Sequence, residues 1–314
     1  MADETKRRLA ELLARQAHAR SEPRAGDPFA ASAVRLHAGG GKRPFFCVHP
    51  GSGTVGCFSE IAPLVDADRP FIGLQAPGVD GDCEPIEDLA ALARGYVGEV
   101  RRVQPRGPYA IGGWSLGGTI AFQMAHELRR AGETVALLVL FDTQRAEALH
   151  EARIPRPEAI EINFRQSAYA TVHLARQRGV TIDPAVAADQ FRREQPRTTP
   201  ARLQLMLQLL VEHGVFTDAT APIFKVFRAN VSALGNYGMP VEPYDGRITL
   251  FRCRNDAFGD AYARVDPGYC WSRVTTQPLD IVAMPSHHFA LFHGEVLPQT
   301  ASELRRCLDA VEAA

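Results

Sequence analysis

Ser115 stands in the run Gly113-Trp114-Ser115-Leu116-Gly117-Gly118, which has the form G-x-S-x-G. The run closes an apolar stretch, Tyr109–Trp114, and opens a segment of helical spacing, Ser115–Arg130. A sharp turn from strand to helix at this point would strain the serine backbone and expose its hydroxyl. Gly113 and Gly117 leave the room such a turn needs. A glycine-rich turn of this kind also suits phosphate at a helix N-terminus. The spacing, however, fits neither G-x-x-x-x-G-K-[ST] nor G-x-G-x-x-G.

A serine hydroxyl is a weak nucleophile and needs a base. In hydrolases built on this turn, an acid and then a histidine follow the serine in chain order. Ile281–Met284 reads as the last strand, and Ser286-His287-His288-Phe289 follows it. His288 is the favoured base, with Phe289 and Leu291 packing behind it, and His287 is the alternative. His126 falls within a helix and His293 lies too far along. Two acids are placed to orient the imidazole. Asp142 directly follows the run Val135–Phe141, and Asp256 follows the run Arg247–Arg252. An oxyanion needs backbone N–H donors aimed at the developing charge. Leu116, next after the nucleophile, and Gly51, in the early loop His49-Pro-Gly-Ser-Gly53, are the candidates.

Six elements must hold these residues. Apolar runs at Pro44–His49, Phe71–Gln75, Tyr109–Trp114 and Val135–Phe141, then at Arg247–Arg252 and Ile281–Met284, read as strands. Helical spacing separates them, first over Ile86–Val103 and Ser115–Arg130. The last helix carries Leu297, Leu304, Leu308 and Val311 on one face. Strands alternating with helices imply a mostly parallel sheet covered on both faces. From Arg145 to about Val241 the alternation stops. Helical spacing recurs at Arg165–Arg178, Ala185–Gln195, Pro200–His213 and Ala221–Tyr237. An all-helical insertion at the carboxyl end of a sheet reads as a lid. Its Phe164, Tyr169, Leu174, Leu205, Leu209, Phe216, Phe224 and Phe227 either line an apolar channel or pack the helices together. The expected units are residues 1–32 (helix and linker), 33–144 (first core part), 145–241 (insertion) and 242–314 (second core part).

Composition narrows the classes. Hydrophobic residues are 46% and charged residues 23% of the 314, ordinary globular usage. Lys plus Arg is 35 and Asp plus Glu is 36, so no global field draws the chain to nucleic acid or an anionic membrane. The longest clean apolar run, Val135–Phe141, is far short of a membrane span. The N-terminus MADETKRRLAELLARQ has no apolar signal core, and six scattered cysteines show neither C-x-x-C nor zinc spacing. The expectation is a cytoplasmic protein with reduced thiols, no metal and no bound cofactor.

At these residues the chain resembles the C-terminal thioesterase domains of nonribosomal peptide synthetase and polyketide synthase assembly lines. The matching pieces are Val48-His-Pro-Gly-Ser-Gly-Thr-Val55, the Gly113–Gly118 turn, Leu140-Phe-Asp142, Gly246–Arg252 and His288-Phe289. The similarity runs from about Pro44 to Leu308. It implies an α/β-hydrolase fold with the helical insertion as lid. In such domains the acid follows the strand after the nucleophile helix, which favours Asp142, 27 positions past Ser115, over Asp256. The last motif departs from the family, since Ser286-His287 stands where a glycine usually precedes the residue before the histidine. The resemblance further implies an acyl, peptidyl or polyketide thioester on the phosphopantetheine of a carrier protein, and residues 1–20 as a carrier-linker remnant. Release would pass through an acyl-serine, by hydrolysis or macrocyclisation. The competing readings are a stand-alone proofreading thioesterase, a carboxylesterase or lipase, and a non-catalytic binding module on the same fold.

Overall fold

In a computed structural model of the chain, the described residues are 26–145, 156–217, 221–254, 263 and 266–312. Residues 1–25, which hold most of the expected N-terminal helix and linker, and Asp256 lie outside them. Seven strands form one sheet: β1 (Ala33–His37), β2 (Phe45–Val48), β3 (Phe71–Leu74), β4 (Tyr109–Trp114), β5 (Val135–Phe141), β6 (Ile248–Cys253) and β7 (Leu279–Met284). Their order is β1-β3-β2-β4-β5-β6-β7. Only β1 is antiparallel, on β3 at the edge, and the other pairings are parallel. β1 is the strand the sequence pattern leaves unnamed, because an edge strand half open to water carries no continuous apolar run.

The core helices are α1 (Ala62–Val65), α2 (Leu89–Val103), α3 (Leu116–Arg130) and α8 (Leu297–Glu312). They cover both faces, and the period-2 geometry of a strand divides its side chains between them. Along β5, Leu138 and Leu140 join the apolar cluster of α2 and α3. Leu137, Val139 and Phe141 join that of α1 and α8. Helix α2 starts at Leu89 rather than Ile86 because the Asp88 side chain caps it, accepting from the Ala91 N–H at 2.7 Å.

Between β5 and β6 the described residues form four helices: α4 (Arg156–Arg176), α5 (Pro184–Glu194), α6 (Thr199–Glu212) and α7 (Pro222–Asn236). Helix α4 begins nine residues before the expected Arg165, with Pro157 in its first turn, where the missing N–H costs no intrahelical bond. These helices share an apolar core that includes Phe164, Leu205, Leu209, Phe216 and Phe224, closed below by Ala76 and Val79.

His49 directly follows β2, and its ring is fully buried. Its Nδ1 lies 2.7 Å from the Pro50 carbonyl and its Nε2 2.7 Å from the Tyr96 hydroxyl. A carbonyl only accepts, so Nδ1 carries the proton. Burial lowers this histidine from 6.5 to about 4, against the opposing pull of the Pro50 carbonyl. The unfolded chain therefore takes up the proton first as pH falls below 6.5. The stabilisation is complete above that pH and is lost on descent towards about 4, with a slope of up to about 1.4 kcal/mol per pH unit. Urea titrations at a series of pH values should show at least this slope in wild type, and His49→Gln should lower the slope by about that amount.

Candidate active site

The turn from β4 into α3 is a set of close approaches. A Cβ on Gly113 would collide with the Gly117 carbonyl, and one on Gly117 with the carbonyls of Val48 and His49. One on Gly118 would collide with the Thr143 side chain. Helix α3 thus begins pressed against the ends of β2 and β5. Ser115 is left at φ 57° and ψ −122°, a strained conformation for a residue with a side chain. Its N–H donates to the Phe141 carbonyl at 3.0 Å, which fixes it to β5. Leu116 is the first residue of α3, so its N–H has no partner within the helix.

Asp142 stands at the end of β5, fully buried and at φ 43°. Its N–H donates to the Phe251 carbonyl of β6 at 2.7 Å. Its Oδ1 accepts from the Cys253 N–H at 2.9 Å and the Tyr269 hydroxyl at 3.2 Å. Its Oδ2 lies 2.8 Å from His288 Nδ1, with a weaker approach from Gln144 at 3.4 Å. Next to it, the Trp271 indole donates to the Thr143 carbonyl at 2.7 Å. A fully buried carboxylate must be met by donors, and this one is.

His288 follows β7 in a short 3-10 turn and is buried. Its ring lies between the Trp114 indole, at 5.3 Å between centroids, and Phe289, at 4.8 Å. Phe289 itself stacks on Tyr169 of α4. Leu291 is buried in the core cluster of α8. His287 faces Tyr169, at 6.0 Å between rings. The structure thus brings His288 to Asp142, and Ser115 and His288 line one cavity of about 290 Å³. His126 packs on Phe122 and Tyr244, away from this cavity.

The cavity lies between the sheet end and the insertion. Of the eight apolar insertion residues singled out in the sequence, Tyr169, Leu174 and Phe227 line it. Phe164, Leu205, Leu209, Phe216 and Phe224 pack the helices instead. Gly51 lines it too, in a loop held from several directions. The Pro50 carbonyl accepts from His49 Nδ1 and, at 2.9 Å, from the Gly53 N–H. In a trans peptide the Gly51 N–H must then point the other way. Asn230 of α7, itself buried, donates to the Gly51 carbonyl at 3.0 Å, and the Phe227 ring leaves 3.4 Å beside Gly51 for a Cβ. Gln177, just past α4, donates to Ser52 Oγ at 3.1 Å and reaches His173 Nε2 at 2.9 Å.

His173 is edge-on to Trp114 and is pushed down to about 3 by desolvation and then by His293, His288 and Arg176. It is neutral wherever the protein is folded at ordinary pH. Gln177, Asn230 and Tyr269 escape a reading of motifs, because each acts across more than a hundred residues of chain; His173 meets Trp114 across a shorter span, and no motif marks that contact either. Among the described residues no cluster of three or more His, Cys, Asp or Glu could hold a metal, and no helix is long and apolar enough to cross a membrane.

The thioesterase domain family matches residues 43–308. Over 107 residues the chain is 42% identical to a dimodular nonribosomal peptide synthase of Bacillus subtilis (strain 168), covering 34% of this chain and 4% of that one. The chain therefore spans a small fraction of that relative. Among solved structures, the NocB thioesterase domain, in covalent complex with a fluorophosphonate nocardicin G analogue, is 29% identical with a TM-score of 0.56. That likeness covers 86% of this chain and 96% of the other. A four-domain nonribosomal peptide synthetase bound to AMP and glycine is 25% identical with a TM-score of 0.63, over 88% of this chain and 20% of that one. With its family match covering most of its length and its sheet and insertion arranged as described, the chain belongs to the thioesterase domain family and has the α/β-hydrolase fold.

Proposed function

We propose that the chain is a serine thioesterase that releases an acyl, peptidyl or polyketide chain from the phosphopantetheine thioester of a carrier protein. The observation that carries the proposal is the 2.8 Å contact of His288 with the buried Asp142, on the wall of the cavity that Ser115 also lines. Ser115 Oγ attacks the thioester carbonyl and passes its proton to His288 Nε2. Asp142 holds the Nδ1–H tautomer and stabilises the imidazolium. The Leu116 and Gly51 N–H groups receive the oxyanion. The C–S bond breaks, and the departing thiolate recovers the proton from His288. A thiol has a pKa of about 8.5, so it leaves with little help. Water, or a hydroxyl or amine of the acyl chain itself, then attacks the acyl-serine. His288 takes the incoming proton and returns it to Ser115 Oγ, giving an acid or a ring.

The similarity to a thioesterase domain caught with a fluorophosphonate supports a serine nucleophile. The likeness to multidomain synthetases supports a carrier protein as partner. Intact-mass measurement should find a stoichiometric fluorophosphonate adduct and turnover of acyl-pantetheine thioesters in wild type, and neither in Ser115→Ala. Faster turnover of simple carboxylesters than of thioesters would favour the carboxylesterase instead. Asp142→Asn should keep the fold and lower kcat by about 10⁴, because the amide favours the wrong imidazole tautomer. Asn230→Ala should loosen the Gly51 loop and lower kcat about tenfold with KM little changed, as steady-state kinetics on one thioester would show.

A further inference from the structure

Arg202 of α6 lines the same cavity as Ser115. Its guanidinium is about half-buried, and burial alone draws its pKa below the ordinary arginine value. Its one side-chain hydrogen bond is to Thr199 Oγ1, at 2.9 Å, in its own helix. Among the described residues no carboxylate pairs with it. Gln166 of α4 also lines the cavity, and its side-chain amide makes no hydrogen bond among the described residues. The other arginine on the wall, Arg165, is turned to Glu161 at 2.8 Å. Among the described residues, the cavity wall carries no aspartate or glutamate at all.

A cation with donors to spare, in a mostly apolar chamber without a counter-charge, is matched by an anion that arrives with the ligand. We propose that Arg202, with Gln166 on the same cavity wall, forms a subsite for a carboxylate on the acyl chain, so that the substrates are acyl thioesters with an acidic group away from the thioester. Resting on the thioesterase reading, this names the substrate class of the same cavity. A planar guanidinium takes a carboxylate in a two-bond fork, and the Gln166 amide supplies a further donor. The phosphate of the carrier arm is a second anion of the same chemistry. The acyl carboxylate is favoured because the residues around Arg202 belong to the chamber wall shared with Ser115.

The test uses Ser115→Ala and pantetheine amides, in which an amide replaces the thioester. Calorimetry compares an octanoyl chain with a suberoyl chain of equal length that ends in a carboxylate. The suberoyl ligand should bind about tenfold or more tightly, and Arg202→Gln should bring the two within about twofold. Arg202→Lys should keep part of the difference, and octanoyl affinity should stay within about twofold in all variants, which also reports intact folding. Equal affinities in the parent, or a preference that survives Arg202→Gln, would overturn the proposal. So would an octanoyl phosphopantetheine amide whose advantage over octanoyl pantetheine depends on Arg202, since that places the arm's phosphate there. Wild-type turnover of octanoyl thioester is measured alongside. Its absence would count against the thioesterase reading, while the binding comparison still decides the anion subsite.

Discussion

The whole arrangement depends on one carboxylate without water. Asp142 is fully buried, and a bare charge in such a place is not stable. It persists because groups from separate parts of the chain converge on its two oxygens: the Cys253 N–H, the Tyr269 hydroxyl and His288. Each bond to a charged group contributes on the order of 2 kcal/mol, and removing one partner leaves the charge exposed to the loss. The carboxylate therefore works as a junction. β5 supplies it, β6 anchors its backbone through Phe251, and the segment after β7 brings the imidazole. Ser115 hangs from the same strand end through the Phe141 carbonyl. The His288 ring and the Ser115 hydroxyl are thus referenced to one point of the sheet.

Two residues at that point, Ser115 and Asp142, hold positive φ. Strain of this kind costs about 1–3 kcal/mol at each residue, and it lasts only where the surroundings allow nothing else. Here the glycines supply the compulsion. Because Gly113, Gly117 and Gly118 let β4, the end of β2 and Thr143 approach α3 so closely, the chain has no slack in which the serine could relax.

Much of this was legible in the sequence. The parallel runs, the turn around Ser115 and the strand-end position of Asp142 all follow from local pattern, since buried parallel strands write themselves as continuous apolar stretches. Strand β1 was not, because it is short, at the edge and half open to water. The start of helix α4 carries a proline, Pro157, in its first turn, and that residue hides the helical spacing before Arg165. The choice between His287 and His288 lies in the direction of two adjacent side chains, which only the 3-10 turn after β7 fixes. Tyr269, Gln177 and Asn230 carry no local signal at all. Their partners lie more than a hundred residues away, and no periodicity records such a meeting. The apolar insertion residues divide between cavity and helix packing according to which way each helix turns, which composition does not encode.

The loop from Pro50 to Gly53 is gripped by Asn230, by Gln177 and by the Val226 and Phe227 side chains, all from the insertion or its edge. The insertion is therefore no independent cassette. A chimera that exchanged it for the corresponding helices of another thioesterase domain would replace the walls of the chamber and, in the same stroke, the clamps on a loop that belongs to the core. Such a graft inherits a new substrate shape only if its incoming helices also present an amide to the Gly51 carbonyl and a small enough surface to Gly53. Recombination between such enzymes is then constrained by a handful of core-facing positions, and the residues that face the substrate are free to vary once those are met.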